Sequence, residues 1–172
     1  MSNKNVTILT QAAIIAALYV VLTMMANAMG LANYAIQVRF SEALCVLPFF
    51  TVAAIPGLTL GCLLANVLTG ALVWDVLFGS LATLIGAIGT YLLRKHKVLM
   101  TLPPVIANAV IVPLVLRYGY GITWVYEGVD YSILYFAATV GIGELISVCF
   151  LGGLLLNALL PYKNVIFKTN ER

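Results

Sequence analysis

A chain of 172 residues that is 63% hydrophobic and only 9% charged, with a formal net charge of +3, cannot clothe a soluble fold in polar side chains. A mean hydropathy of +1.07 points instead to an all-α integral membrane protein, one domain over 1–172. The basic residues fall in short clusters at the ends of apolar runs, which suits orientation in a lipid bilayer and argues against nucleic acid as a partner.

The first apolar run, 6–28, follows Lys4 and ends in Ala26-Asn27-Ala28, which mimics a signal peptide with its cleavage site. It is longer than the roughly 7–15 apolar residues of such a leader and is read as a membrane span. On it Ala12, Ala13, Ala16 and Ala17 make overlapping pairs of small residues four apart, where another helix can approach closely, either within the fold or as a docking partner. An outer loop, 29–40, leads into QVRFSEALCV, where Arg39 and Glu42 stand about one helical turn apart at the edge of an apolar run. The second and third spans, 41–55 and 57–73, are short and divided by Pro56-Gly57; Val73-Trp74-Asp75 divides the third from the fourth, 76–93. That fourth span carries Gly79, Ala82, Thr83, Gly86 and Thr90, a face suited to internal packing. Arg94-Lys95-His96-Lys97 turns the chain into the fifth span, 98–116, and a loop over 117–131 joins it to the sixth, 132–160, with Glu144 among Gly141, Gly143 and Ser147.

Six crossings with both termini cytoplasmic put Lys4, Arg94, Lys95, Lys97, Lys163, Lys168 and Arg172 inside, seven of the nine basic residues, as the positive-inside rule requires. Counting from the cytoplasmic helix ends, Glu144 lies about 28 Å above Lys163 and Asp75 about 28 Å above Pro56. Arg117 lies about 30 Å above Lys97, Glu42 about 21 Å above Pro56, and Asn66 and Asn108 about 15–17 Å up. Arg39, Glu42, Asp75, Arg117 and Glu144 thus share the outer level, with the two asparagines beneath. Ionisable groups at such depth normally face a bundle interior or a watery cavity, so the pattern reads as a polar pocket open outwards. The alternative seats each charge among the headgroups, and Glu42 also suits a helix N-terminus for its dipole alone. Tyr34, Trp74, Tyr118, Tyr120, Trp124, Tyr126, Tyr131, Tyr135 and Phe136 crowd the same level as an interfacial belt, from which one or two could stack on a planar ligand.

Cys45, Cys62 and Cys149 lie inside apolar runs without CxxC or Cys/His spacing, which suggests neither disulfides nor a metal site, and His96 reads as a solvated loop residue. The sequence has no phosphate-binding loop, no Ser/His/Asp or Cys/His set and no room for a soluble ATPase. The expectation is therefore a protein that is not an enzyme and needs no cofactor, with any energy supplied by a partner or an ion gradient.

Five stretches carry a family resemblance: AAIIAAL (12–18), IQVRFSEALCVLPFFTVAAIPGLTLGCLLANVLTG (36–70), WDVLFGSLATLIGA (74–87), LPPVIANAVIV (102–112) and VGIGELIS (140–147). Together they resemble the queuosine-precursor transporter family QueT, substrate-binding S-components of energy-coupling-factor (ECF) vitamin transporters. The resemblance implies a six-transmembrane-helix bundle of the S-component type in the cell membrane, binding a 7-deazaguanine base at an outward-facing site. Glu144 would accept adjacent N–H donors of the base; Asp75 or Glu42 would pair with an aminomethyl cation; Asn66 or Asn108 would satisfy the carbonyl or ring nitrogens. Arg39, Trp74 and Tyr135 complete the candidate set. Ala12, Ala13, Ala16 and Ala17 would dock on a transmembrane T-component driven by two cytoplasmic ATPases. The loop Gly30–Arg39 would cover the ligand, with 117–131 as a second lid. Standing beside this reading are an S-component for another purine-like or vitamin substrate, a stand-alone secondary transporter, a membrane enzyme, and a scaffold without a ligand.

Overall fold

The computed structural model describes residues 3–30 and 38–167, so Tyr34 and most of the loop 29–40 lie outside the described residues, as do Lys168, Glu171 and Arg172. Helix α1 runs Asn3–Ala28. Its buried side chains, Ala12, Ile15, Ala16, Tyr19, Thr23 and Ala26, recur every three or four residues and form one stripe; Leu9, Ile14, Leu18, Val21 and Met25 are exposed apolar side chains on its other faces. The stripe packs on α2, Ala54–Leu68. A Cβ on Gly57 would stand 2.8 Å from the Ala12 carbonyl oxygen, and one on Gly61 2.7 Å from Tyr19 Cβ, so glycine at both positions is what lets the two backbones approach. Ala12 and Ala16 are buried in this helix contact inside the fold, the packing alternative for the alanine pattern, while Ala13 and Ala17 of the expected docking face are exposed.

The span expected over 41–55 is not α-helical. Phe40–Phe49 forms a 3-10 helix, and α2 starts at Ala54 with Pro56 inside its first turn. Proline accounts for both departures. Pro48 has no N–H to give to the Leu44 carbonyl, whereas a proline is harmless in a first turn whose N–H groups have no helical partner. α2 ends where Gly70 turns left-handed at φ 72°. There Gly70 N–H donates to Val67 O at 3.1 Å and Ala71 N–H to Asn66 O at 2.9 Å, the paired bonds that close a helix C-terminus.

The remaining helices are α3 (Val73–Leu92), α4 (Leu102–Leu114), α5 (Ser132–Glu144), α6 (Gly152–Leu159) and α7 (Lys163–Ile166). The last three join through π-helical Leu145–Leu151 and 3-10 Leu160–Tyr162 into one 35-residue helical run, Ser132–Ile166. In α4, Pro113 denies the Ala109 carbonyl its helical donor, and the helix widens into π turns over Val115–Gly119. Among the described residues four helices are long and apolar enough to cross a membrane, Lys4–Ala28, Val73–Leu92, Leu99–Gly119 and Ser132–Ile166; Phe40–Phe49 and Ala54–Leu68 are apolar but shorter. The chain is a multi-pass membrane protein.

Successive helices pack on one another from α1 to α5, and the 3-10 helix runs through their midst, touching α1, α2, α3 and α6. Its Leu44, Cys45, Val46 and Leu47 form the core with Tyr19, Leu58, Cys62, Ala65, Met100 and Val148. The expected internal face of α3 is buried as read, at Gly79, Ala82, Thr83, Gly86 and Thr90. One element was not anticipated. Val125–Tyr126 (β1) and Val129–Asp130 (β2) pair antiparallel within the loop 117–131. Glu127 and Gly128, at φ 49° and 81°, make the tight two-residue turn whose twist matches such strands.

Candidate functional site

The buried carboxylates and asparagines gather toward the end of the bundle where α3 begins. α1 contributes Tyr19, whose hydroxyl donates to Glu42 Oε1. In a 3-10 helix residues three apart eclipse, which places Cys45 directly beside Glu42, and Cys45 Sγ donates to Glu42 Oε2 at 3.1 Å. Both carboxylate oxygens of Glu42 are thereby engaged within the fold. Thr23 fixes the start of the same helix, donating to Ser41 Oγ at 2.9 Å.

Asp75 sits in the first turn of α3, where a carboxylate complements the helix dipole. The closure of α2 at Gly70 brings Asn66 against it. Asn66 Nδ2 donates to the Asp75 main-chain oxygen at 3.2 Å, and Tyr120 Oη donates to Asp75 Oδ2 at 3.4 Å while accepting from Leu72 N–H at 3.1 Å. Burial raises the Tyr120 hydroxyl pKa above its ordinary value, so it remains a donor at neutral pH. A Cβ on Gly79 would lie 3.1 Å from Asn66 Nδ2 and 3.2 Å from Asp75 Oδ1, so the glycine lets these two polar side chains pack closely against α3.

Arg39, extended at φ −105° and partly buried just before the 3-10 helix, is the cation nearest these groups in its electrostatic influence. Its guanidinium interacts electrostatically with Asp75 most strongly among its charged neighbours, then with Glu42, and also with Glu144. Glu144 ends α5 where the helix widens to π geometry, a departure that often accompanies function. Facing it from α4 is Asn108. The two side chains interact, but not through a bond that brings every polar atom into proper geometry. Asn108 Nδ2, Glu144 Oε2 and Ser147 Oγ are buried without a hydrogen-bond partner.

Six of the eight candidate residues therefore belong to one polar cluster: Asn66 hydrogen-bonds the Asp75 main chain, and Arg39, Asp75, Glu42, Glu144 and Asn108 influence one another electrostatically. Trp74 and Tyr135 stand apart. Trp74 is 54% exposed, stacks on Phe78 at 6.1 Å between ring centroids, and lines an apolar groove of about 530 Å³ between α3 and α4 with Leu81, Ile111 and Leu114. Tyr135 stacks on Trp124 at 4.8 Å, which fastens the hairpin to α5. Arg117, expected level with the cluster, instead pairs with Asp130 of the hairpin at 2.7 Å. Sequence reading missed Tyr19 and Cys45. The one tyrosine of the first apolar run, three residues past Ala16 and thus on its buried stripe, was the available signal.

The cluster offers carboxylate acceptors and amide and hydroxyl donors within a low-dielectric interior, the equipment for a small polar ligand with both kinds of group. Among the described residues no three His, Cys, Asp or Glu side chains converge as a metal site requires.

A family model described as QueT transporter matches residues 9–161. The Queuosine precursor transporter QueT of Lactococcus lactis subsp. cremoris is 40% identical over 86 residues, 49% of this chain and 50% of that protein. The matched part of the chain spans about half the length of this curated relative. No solved structure matches.

Proposed function

The chain belongs to the QueT transporter family, and from that premise we propose that it is the substrate-capturing S-component of an ECF-type importer for a queuosine precursor, a 7-deazaguanine base. The observation that carries this reading is the trio of buried, unpartnered atoms at the meeting of α4 and α5: Asn108 Nδ2, Glu144 Oε2 and Ser147 Oγ. Each buried polar group left unpaired costs about 1–3 kcal/mol, so three in one cluster favour a ligand that pairs them. Glu144 accepts adjacent N–H donors of the base, and Asn108 donates to its carbonyl or ring nitrogen. Asp75 is better placed than Glu42 to meet an aminomethyl cation, because Glu42 already accepts from Tyr19 and Cys45. Arg39 balances the carboxylate charge of the cluster.

In this proposal Phe40–Phe49 and Ala54–Leu68 complete six crossings, with both termini in the cytoplasm beside the basic clusters. Most of the expected lid, 30–39, lies outside the described residues. Docking on the T-component uses the exposed side of α1, Ala13 and Ala17 with Ile14, Leu18 and Val21. Two cytoplasmic ATPases, bound to the T-component, supply the energy.

The test is calorimetric binding of an aminomethyl-deazaguanine to the purified protein and its Glu144→Gln and Glu144→Ala variants. Loss of an edge-reading carboxylate weakens binding by about 30-fold or more, at about 1.4 kcal/mol per tenfold. Affinity unchanged in both variants would remove Glu144 from this role and the proposal with it.

A further inference from the structure

α3 begins in the polar cluster and ends at the other face of the bundle, where Arg94 and Lys95 line a cavity of about 430 Å³ with Lys163 and Asn164 of α7 and with Phe49, Phe50 and Phe167. Among the described residues that line it, none is acidic. The Arg94 guanidinium carbon lies 4.0 Å from the Tyr91 ring centroid and Lys163 Nζ 5.8 Å from that of Phe49, while Phe50 and Phe167 stack at 4.8 Å. Aromatic faces steady the two cations without neutralising them or occupying their N–H donors in the ring plane. Cations converging from two helices repel one another, and an anion between them relieves that repulsion. Position narrows the choice of anion. The cavity adjoins the final residues of two helices able to cross a membrane, Val73–Leu92 and Ser132–Ile166, which is the level where hydrocarbon gives way to lipid phosphate.

We propose that this pocket binds a phosphate group, either the headgroup phosphodiester of an anionic phospholipid or free phosphate. Arg94 offers its fork of N–H donors to two phosphate oxygens, Lys95 and Lys163 add charge, and Asn164 contributes an amide. A lipid held there ties the end of α3 to α7, fixing the base of the bundle while leaving the cluster around Glu144 untouched.

The experiment uses the full chain in nanodiscs of phosphatidylcholine alone or mixed with phosphatidylglycerol, and in detergent with inorganic phosphate. Readouts are native mass spectrometry of retained lipid and the thermal midpoint. Wild type is expected to retain phosphatidylglycerol over phosphatidylcholine by about tenfold or more and to melt higher in its presence. The double variant Arg94→Gln with Lys163→Gln loses both effects. Lys4→Gln, which removes a cation outside the pocket, keeps them and controls for net charge. Stabilisation of detergent-solubilised wild type by millimolar phosphate, absent from the double variant, assigns the site to free phosphate; stabilisation by phosphatidylglycerol only assigns it to lipid. Equal lipid retention by wild type and double variant, with no response to phosphate in either, overturns the proposal. Should the double variant unfold, Arg94→Lys and Lys163→Gln tested singly give the same comparison.

Discussion

Arg39 and Arg117 each meet carboxylates toward the same end of the bundle, one among packed helices and the other on the surface. Arg117 reaches Asp130 Oδ2 with Nη2 at 2.7 Å and Nε at 2.9 Å, between side chains 29% and 39% exposed. Arg39 faces Asp75, Glu42 and Glu144 across an interior where charges act over longer distances. The shorter pair is the weaker contributor. Water screens the surface charges and solvates either partner when the bond opens, whereas the interior groups have only one another. The surface pair fastens a hairpin; the interior set is costly to assemble, as the proposed binding role requires.

The widest break in this contrast comes from Gly61→Leu. Its side chain meets Tyr19 and the α1 backbone at Ala16, forces α1 away from α2 and withdraws Tyr19 from Glu42. A destabilisation of about 3 kcal/mol or more is expected, seen as a lowered thermal midpoint with loss of ligand binding, while the hairpin keeps its own contacts. Normal stability would show that the close helix contact is dispensable.

Tyr19→Phe is milder. It removes one donor from the buried Glu42 and leaves Cys45 as the other, which sets an expected loss of about 1–3 kcal/mol in thermal unfolding. A change as small as that of a surface hydroxyl would mean Glu42 finds another donor and the interior behaves like the surface.

The smallest effect belongs to Asp130→Asn, which should barely move the unfolding midpoint and should act on the hairpin alone. The Ser132 hydroxyl and N–H, and after them Arg117, hold the Asp130 carboxyl below its ordinary range. A depressed pKa contributes stability above the unfolded value of about 3.9 and loses it as pH falls through the folded value. Acidification below about pH 4 should therefore loosen the Trp124–Tyr135 stack, read as Trp124 fluorescence in a Trp74→Phe background, and Asp130→Asn should flatten that response. An unaltered response in Asp130→Asn would assign the transition to another group.

Much of the fold was legible because lipid imposes a simple demand, long apolar helices with charges at their ends. Four of the six expected spans correspond to helices of sufficient length. The exceptions are a 3-10 helix that ends just after Pro48 and a short α-helix that takes Pro56 into its first turn, a distinction hydropathy does not see. The alanine pattern of α1 announced a close helix contact but not its partner. That partner is α2, because Gly57 and Gly61 fall on the facing side. The hairpin escaped notice because its strands are two residues each, too short for periodicity to register.

Sequence by itself determined the membrane class, the family and which polar residues are too expensive in lipid to be incidental, since composition and local spacing are properties of the chain alone. Tertiary structure decided which of those residues meet. Glu42, Asp75 and Glu144 lie on three different helical segments, and only the packing of those segments brings their charges within reach of Arg39, sends Arg117 to the hairpin and leaves Trp74 exposed.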